Sequence, residues 1–150
     1  MTTVQSTPKI VLAGLGAHGI NQARAILEHP DKWKLAAVVD GSVAARARFQ
    51  SRYHRDRVPY FRDLDSALGA VHADLLIIST TAPSHVDLVR SAIGSGRCGR
   101  VLVEKPISND LDAARELSSF LDREGRLGDV YVDFTRRASN VYRDARDWAH

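Results

Sequence analysis

Three glycines, Gly14, Gly16 and Gly19, follow directly on the apolar run of residues 10–13, and they constrain the fold of this chain more than any other feature. A short run of aliphatic residues reads as a buried parallel strand, and residues 20–27 then carry apolar side chains at helical spacing, so the glycines occupy a strand-to-helix turn. In that geometry Gly14 permits the tight turn, Gly16 lets a phosphate approach the backbone, and Gly19 lets the helix pack closely on the strand. The unpaired N–H groups and the dipole of the helix start face the same point, which makes it a site for a pyrophosphate. The spacing alone is a weak signal: a glycine-rich turn that binds nothing, or that holds another nucleoside-bearing ligand, has the same form.

The rest of the chain supplies context. A first strand over 9–15 and a helix over 17–28, with Ile20, Ala23, Ile26 and Leu27 on its apolar face, lead through Pro30 and Asp31 to a second strand over 33–39. That strand ends in Asp40 and Gly41, roughly 20 residues beyond the glycines, where a carboxylate accepts hydrogen bonds from ribose hydroxyls and repels a 2′-phosphate. This favours NAD over NADP, although an exposed strand-end aspartate needs no ligand, and Ser42, Arg46 and Arg48 lie close enough to leave NADP open. Ser42 caps a helix over 44–53. A short strand over 58–61, with Pro59 suited to an edge, and a small helix over 63–68 follow.

Residues 74–79 form the most apolar strand and deliver Thr80, Thr81 and Ala82 to the carboxyl edge of the sheet, where ligands of open α/β folds bind. Pro83 opens a helix over 84–92 with Val86, Leu88, Val89 and Ile93 packing, and His85 sits in its first turn near the cleft. A turn over 94–99 leads to a strand over 100–103 that ends in Glu104-Lys105-Pro106. There Lys105 is expected to be partly desolvated and suited to proton transfer, against the plainer reading of a structural ion pair. Ser108 or Asn109 caps a helix over 111–124 that turns Leu111, Ala114, Leu117, Phe120 and Leu121 inward, and Gly125 and Gly128 end it. A sixth strand over 130–135 and a last helix over 141–148 complete an α/β chain: a doubly wound parallel sheet of about six strands with helices on both faces.

At 150 residues, 44% hydrophobic and 26% charged, the sequence has room for one globular core and not for two full domains. No apolar run approaches the roughly 20 residues of a spanning helix, and residues 1–8 read as a flexible leader without the regions of a secretory signal. The single cysteine, Cys98, excludes an internal disulfide and a cysteine-based metal cluster, and fits a cytoplasmic location. No metal site is expected. The net charge of +3 comes from scattered arginines, and the cluster over 52–57 is short and interrupted by Asp56, so neither a nucleic-acid nor a membrane partner is expected.

Gly-Leu-Gly-Ala-His-Gly19, the strand-end Asp40, Thr80-Thr-Ala-Pro-Ser-His85 and Val103-Glu-Lys-Pro106, in that order, resemble the amino-terminal Rossmann-type domain of the glucose-fructose oxidoreductase, inositol dehydrogenase and rhizopine-catabolism (Gfo/Idh/MocA) family. The resemblance runs from Lys9 to the chain end, with Glu-Lys-Pro its most specific part. It implies that Gly14, Gly16, Ala17, His18 and Gly19 hold a pyrophosphate, and that Asp40, with Gly41 and Ser42, holds the adenosine ribose. It further implies that Thr80, Thr81, Ala82 and His85 lie along the path to a nicotinamide. Glu104 and Lys105 would flank that ring, Lys105 acting as a proton relay or as an orienting cation at the oxygen of a sugar, cyclitol or similar polyhydroxylated substrate while hydride passes to or from the cofactor.

Departures from the family pattern bear on the site. The connection Gly96-Arg-Cys-Gly-Arg100 is longer than usual, and Thr81 stands where proline is frequent. Members of the family continue into a second, substrate-binding domain that also carries the oligomer contact. The chain is therefore expected to be completed by further sequence or by a partner subunit, with a homo-oligomer as a further expectation. A dinucleotide-binding sensor without turnover is the competing reading, and a Rossmann-like domain for another adenosine ligand, such as a methyl donor, is a third.

Overall fold

A computed structural model describes residues 6–53 and 58–134. The helix expected over 141–148, Arg136 and Arg137, and the end of the arginine cluster lie outside the described residues. Within them, β1 (Lys9–Ala13), α1 (Ala17–Glu28), β2 (Lys34–Val39), α2 (Val43–Tyr53) and β3 (Tyr60–Phe61) are followed by α3 (Leu64–Ala70) and β4 (Ala73–Ile78). Next come α4 (His85–Gly94), β5 (Cys98–Glu104), α5 (Leu111–Arg123) and β6 (Val130–Asp133). The six strands form one sheet in the order β3-β2-β1-β4-β5-β6, and every neighbouring pair is parallel. The order reverses direction between β1 and β4, which is the position where open α/β sheets leave a crevice at their carboxyl ends.

Two apolar layers flank the sheet because successive strand residues point to opposite faces. Ile10, Leu12, Leu35, Val38 and Ile77 pack with Ala23 and Ile26 of α1 and with Ala45 and Phe49 of α2. Val11, Ala13, Ala37, Val39, Leu76, Ile78, Val101 and Val103 pack with α3, α4 and α5 through Leu68, Val89, Ile93, Leu117 and Leu121. The central strands β1, β2 and β4 are thus covered on both sides, as their nearly unbroken apolar sequence requires.

Several boundaries differ from the sequence expectation for identifiable reasons. Strand β5 begins at Cys98, inside the stretch read as a turn, because Cys98 pairs with Ala73 in the parallel register. Gly99 belongs there: a Cβ on it would lie 2.8 Å from the Asp74 carbonyl oxygen. Arg126 reaches back to hold the start of this strand, donating from Nη2 to the carbonyls of Cys98 at 2.9 Å and Gly99 at 2.7 Å. Helix α5 is capped neither by Ser108 nor by Asn109 but by Asp110, whose Oδ1 accepts from the amides of Asp112 and Ala113 at 2.8 and 3.1 Å. Leu111, expected inward, is the first residue after that cap and is 65% exposed. Ser42 does close the start of α2, its Oγ accepting from the amide of Ala45 at 3.2 Å.

Candidate functional site

A cavity of about 440 Å³ opens at the carboxyl end of the sheet beside the reversal of strand order, lined by Gly14, Gly16, Ala17, His18, Asp40, Ser79, Thr80, Thr81, Glu104 and Lys105. Four separated segments of sequence meet there because each lies at the carboxyl end of a parallel strand. Gly14 follows β1, Asp40 follows β2, Ser79 follows β4, and Glu104 closes β5.

The glycine turn has the tight geometry its residues predict. Gly14 has φ of +95°, and a Cβ on it would stand 2.6 Å from the backbone of Ser79. Gly19 is buried against the turn, where a Cβ would lie 1.9 Å from the Gly14 carbonyl oxygen. Gly16 differs: nothing lies within 4 Å of its Cβ position, so the space above it is open to the cavity. Helix α1 begins at Gly16 without a side-chain cap, which leaves the first-turn amides available to a ligand anion.

Asp40 is half-buried and held by backbone donors. Its Oδ2 accepts from the amide of Leu15 at 2.8 Å, and its Oδ1 accepts from the amide of Ser42 at 2.8 Å. Each carboxylate oxygen keeps a further lone pair for a ribose hydroxyl. Gly41 and Ser42 are exposed in the turn that follows, and neither is among the residues that line the cavity.

On the other side of the reversal, Thr80 and Thr81 line the cavity, Ala82 begins a 3-10 turn beside it, and Thr80 Oγ1 lies 2.7 Å from Ser84 Oγ. His85 is not at the cavity surface. Its ring is 1% exposed, with Nδ1 2.8 Å from the Pro106 carbonyl oxygen and Nε2 3.0 Å from the Thr80 carbonyl oxygen. It ties together the two loops that carry Thr80 and Lys105, where the sequence had placed it beside the cofactor path. Glu104 is 8% exposed and faces the glycine turn, its Oε1 3.4 Å from Nδ1 of the exposed His18. Lys105 lines the cavity but is exposed, so the partial desolvation expected from its strand-end position is not present in this chain alone. It makes no ion pair among the described residues, which leaves the plainer expectation of a structural salt bridge without a partner.

Three features of the site were not singled out in the sequence. Ser79 Oγ is the one buried side-chain polar atom among the described residues with no hydrogen-bond partner, and it lines the cavity beside Gly14. An orphaned hydroxyl there fits a polar ligand that supplies the missing bond. The second is Tyr60 of β3, whose hydroxyl donates to the Asp40 carbonyl and lies 3.2 Å from the Ser42 carbonyl oxygen. The third is the reach of His18 to Glu104. Ser79 had a usable signal, a serine closing an otherwise apolar strand; the other two depend on strand register and loop geometry. No group of three or more His, Cys, Asp or Glu side chains among the described residues is placed to hold a metal ion. Nor is any helix among them long and apolar enough to cross a membrane.

Comparison with known proteins places this geometry in a family. Residues 8–134 match the family model for the Gfo/Idh/MocA oxidoreductase family, NAD-binding Rossmann fold. The inositol 2-dehydrogenase of Rhizobium meliloti is 29% identical over 131 residues, which are 87% of this chain and 37% of that protein. An uncharacterized protein of Saccharomyces cerevisiae is 30% identical over 90 residues, 60% of this chain and 25% of that protein. The crystal structure of scyllo-inositol dehydrogenase from Lactobacillus casei with bound NAD(H) and scyllo-inositol superposes with a TM-score of 0.84 at 25% identity, over 96% of this chain and 41% of that one. The chain therefore spans about a quarter to two fifths of the length of these relatives.

Proposed function

This chain belongs to the Gfo/Idh/MocA oxidoreductase family, as its NAD-binding Rossmann domain, and we propose that it is the cofactor-holding part of an enzyme that moves hydride between nicotinamide and a carbinol or carbonyl carbon. The substrate class we propose is a cyclitol, sugar or related polyhydroxylated molecule, a reading supported by the inositol dehydrogenases among its relatives. The observation that carries the proposal is the meeting in one cavity of the open space above Gly16, the anchored Asp40 and the strand-end pair Glu104 and Lys105.

In this reading the amides at the start of α1, with Gly14, Gly16, Ala17, His18 and Gly19 shaping the turn, hold the pyrophosphate. Asp40 accepts from the adenosine ribose, with Gly41 and Ser42 forming the turn that presents it. Ser79, Thr80, Thr81 and Ala82 bound the nicotinamide side, and Ser79 Oγ gains its missing partner there. When bound, the cofactor supplies hydride donation or acceptance at its nicotinamide ring. Lys105 contributes a cation that orients the substrate oxygen and exchanges its proton, a role that strengthens once a substrate-binding region excludes water from it. Glu104 bounds the ring pocket, and His85 holds Thr80 and Pro106 in place without touching the cofactor.

We place the dinucleotide-binding domain over 9–150 after a leader over 1–8, of which Pro8 is already tied to the sheet by the Lys34 amide, donating to its carbonyl at 2.9 Å. The substrate-binding region, and with it any homo-oligomer contact, comes from further sequence or a second subunit, and the site of action is the cytoplasm. A dinucleotide sensor without turnover is the second reading, and the exposure of Lys105 favours keeping it. Calorimetric titration of the chain with NAD, NADP and S-adenosylmethionine tests the core of the proposal: NAD binding is expected, and folded protein giving no heat with either nicotinamide cofactor overturns it. Turnover of inositols by a complex containing this chain, lost with Lys105→Ala, separates the enzyme from the sensor.

A further inference from the structure

The turn that presents Asp40 is held from more sides than ribose binding alone requires. The Asp40 carboxylate accepts from the amide of Leu15 in the glycine turn and from the amide of Ser42. The Asp40 amide donates to the Phe61 carbonyl at 3.1 Å, and its carbonyl accepts from the Tyr60 hydroxyl. Tyr60 reaches that carbonyl because β3 pairs with β2 in a register that sets Tyr60 opposite Val38, two residues short of the turn. The same ring carries a second load on its face: the guanidinium of Arg46, from the first turn of α2, lies 4.8 Å from the ring centroid. Burial and the Asp40 charge raise the Tyr60 hydroxyl above its ordinary value, so it remains a donor across the neutral range.

A strand-end carboxylate rejects a 2′-phosphate only while it stays where the phosphate must go. If its turn can swing, the repulsion is relieved, and a nearby arginine can then receive the phosphate. Here the turn is pinned through its backbone, and Arg46, one of the arginines near it, is stacked on the ring that pins it. We propose that Tyr60 is a specificity-determining positioning residue: by fixing the Asp40 turn and holding Arg46 on its ring, it makes the cavity select a dinucleotide with a free 2′-hydroxyl. The proposal rests on the reading of the cavity as a nicotinamide dinucleotide site.

The test is calorimetric titration of the wild-type chain, Tyr60→Phe and Tyr60→Leu with NAD and NADP, each variant checked for a cooperative thermal transition. The wild type is expected to prefer NAD. Tyr60→Phe keeps the ring under Arg46 but loses the hydroxyl, and should narrow the NAD-to-NADP preference about three- to tenfold, mainly by weakening NAD. Tyr60→Leu also frees Arg46, and should narrow it further by tightening NADP. A merely structural role would weaken both cofactors alike and leave the ratio unmoved. An unchanged ratio in Tyr60→Phe, or a wild type that binds NADP at least as well as NAD, overturns the proposal while the dinucleotide site stands. Absence of binding to either cofactor by the folded wild type overturns both. Should Tyr60→Leu fail to fold, Tyr60→Phe decides alone.

Discussion

Gly19 packs so tightly under the glycine turn that a Cβ on it would stand 1.9 Å from the carbonyl oxygen of Gly14. That oxygen belongs to the backbone of a turn whose own φ, +95° at Gly14, leaves it little freedom to retreat. Gly19→Ala should therefore cost about 3 kcal/mol or more, read as a lowered urea midpoint. Gly16→Ala meets nothing within 4 Å and should leave the midpoint unchanged. If a pyrophosphate lies above Gly16, that same methyl group weakens NAD binding at least tenfold. Unchanged stability with unchanged binding in Gly16→Ala would move the ligand away from this turn.

Cys98 sits under the amino end of β5, and burial pushes its thiol up from about 9 to about 11, opposed in part by the amide of Leu76. The folded state thus holds this proton more tightly than the unfolded chain. The stabilising contribution is complete below pH 9 and is lost as the pH rises through 11, amounting to about 3 kcal/mol at the alkaline limit. Urea midpoints should fall between pH 9 and 11, and less steeply in Cys98→Ala. At pH 8 the native thiol should resist Ellman's reagent and react at once when urea unfolds the chain.

The fold was legible because its signals are local: apolar runs broken by glycine and proline, and helical faces with even spacing. Errors fell where local signals compete. Ser108, Asn109 and Asp110 are all good caps, and only the path of the chain out of β5 decides that Asp110 is used. Gly99 reads as a turn residue, yet it is a strand residue made small by the approach of Asp74. At the site, the order of chain segments revealed which residues meet but not how. His85 was assigned a place by the cavity, and burial put it behind the wall, because a helix start can turn its first side chain either way. Tyr60 carried no signal, since its contact with Asp40 follows from the register between β2 and β3, which the sequence does not specify.

The two amide bonds that anchor Asp40 give its replacement a signature. Asp40→Ala removes the proposed ribose acceptor and also frees the amides of Leu15 and Ser42, so the chain should lose about 1–2 kcal/mol of stability. NAD binding should weaken about tenfold, because hydrogen bonds to a charged acceptor are lost. NADP should weaken less, since removal of the carboxylate also removes its repulsion of the 2′-phosphate. Calorimetry with both cofactors checks this, and equal losses would remove the ribose assignment from Asp40.

His85 provides the last prediction, and it separates a wall residue from a contact residue. The ring is buried between two backbone carbonyls, those of Thr80 and Pro106. A neutral imidazole can donate to only one of them, and a protonated one to both. Replacement by leucine removes the ring nitrogens from between the two carbonyls and leaves at least one of them without its donor in a buried place, which should cost about 2 kcal/mol and loosen the loops that carry Thr80 and Lys105. Both loops lie across the reversal of strand order from Asp40, on the side we assign to the nicotinamide. Binding of ADP-ribose, which in the proposed site would use only the glycine turn and Asp40, should therefore survive in His85→Leu, while the extra affinity of NAD over ADP-ribose falls about fivefold. His85→Gln keeps one donor and should recover part of that difference. If NAD and ADP-ribose weaken by the same factor in His85→Leu, the imidazole supports the whole domain and has no particular hold on the nicotinamide wall.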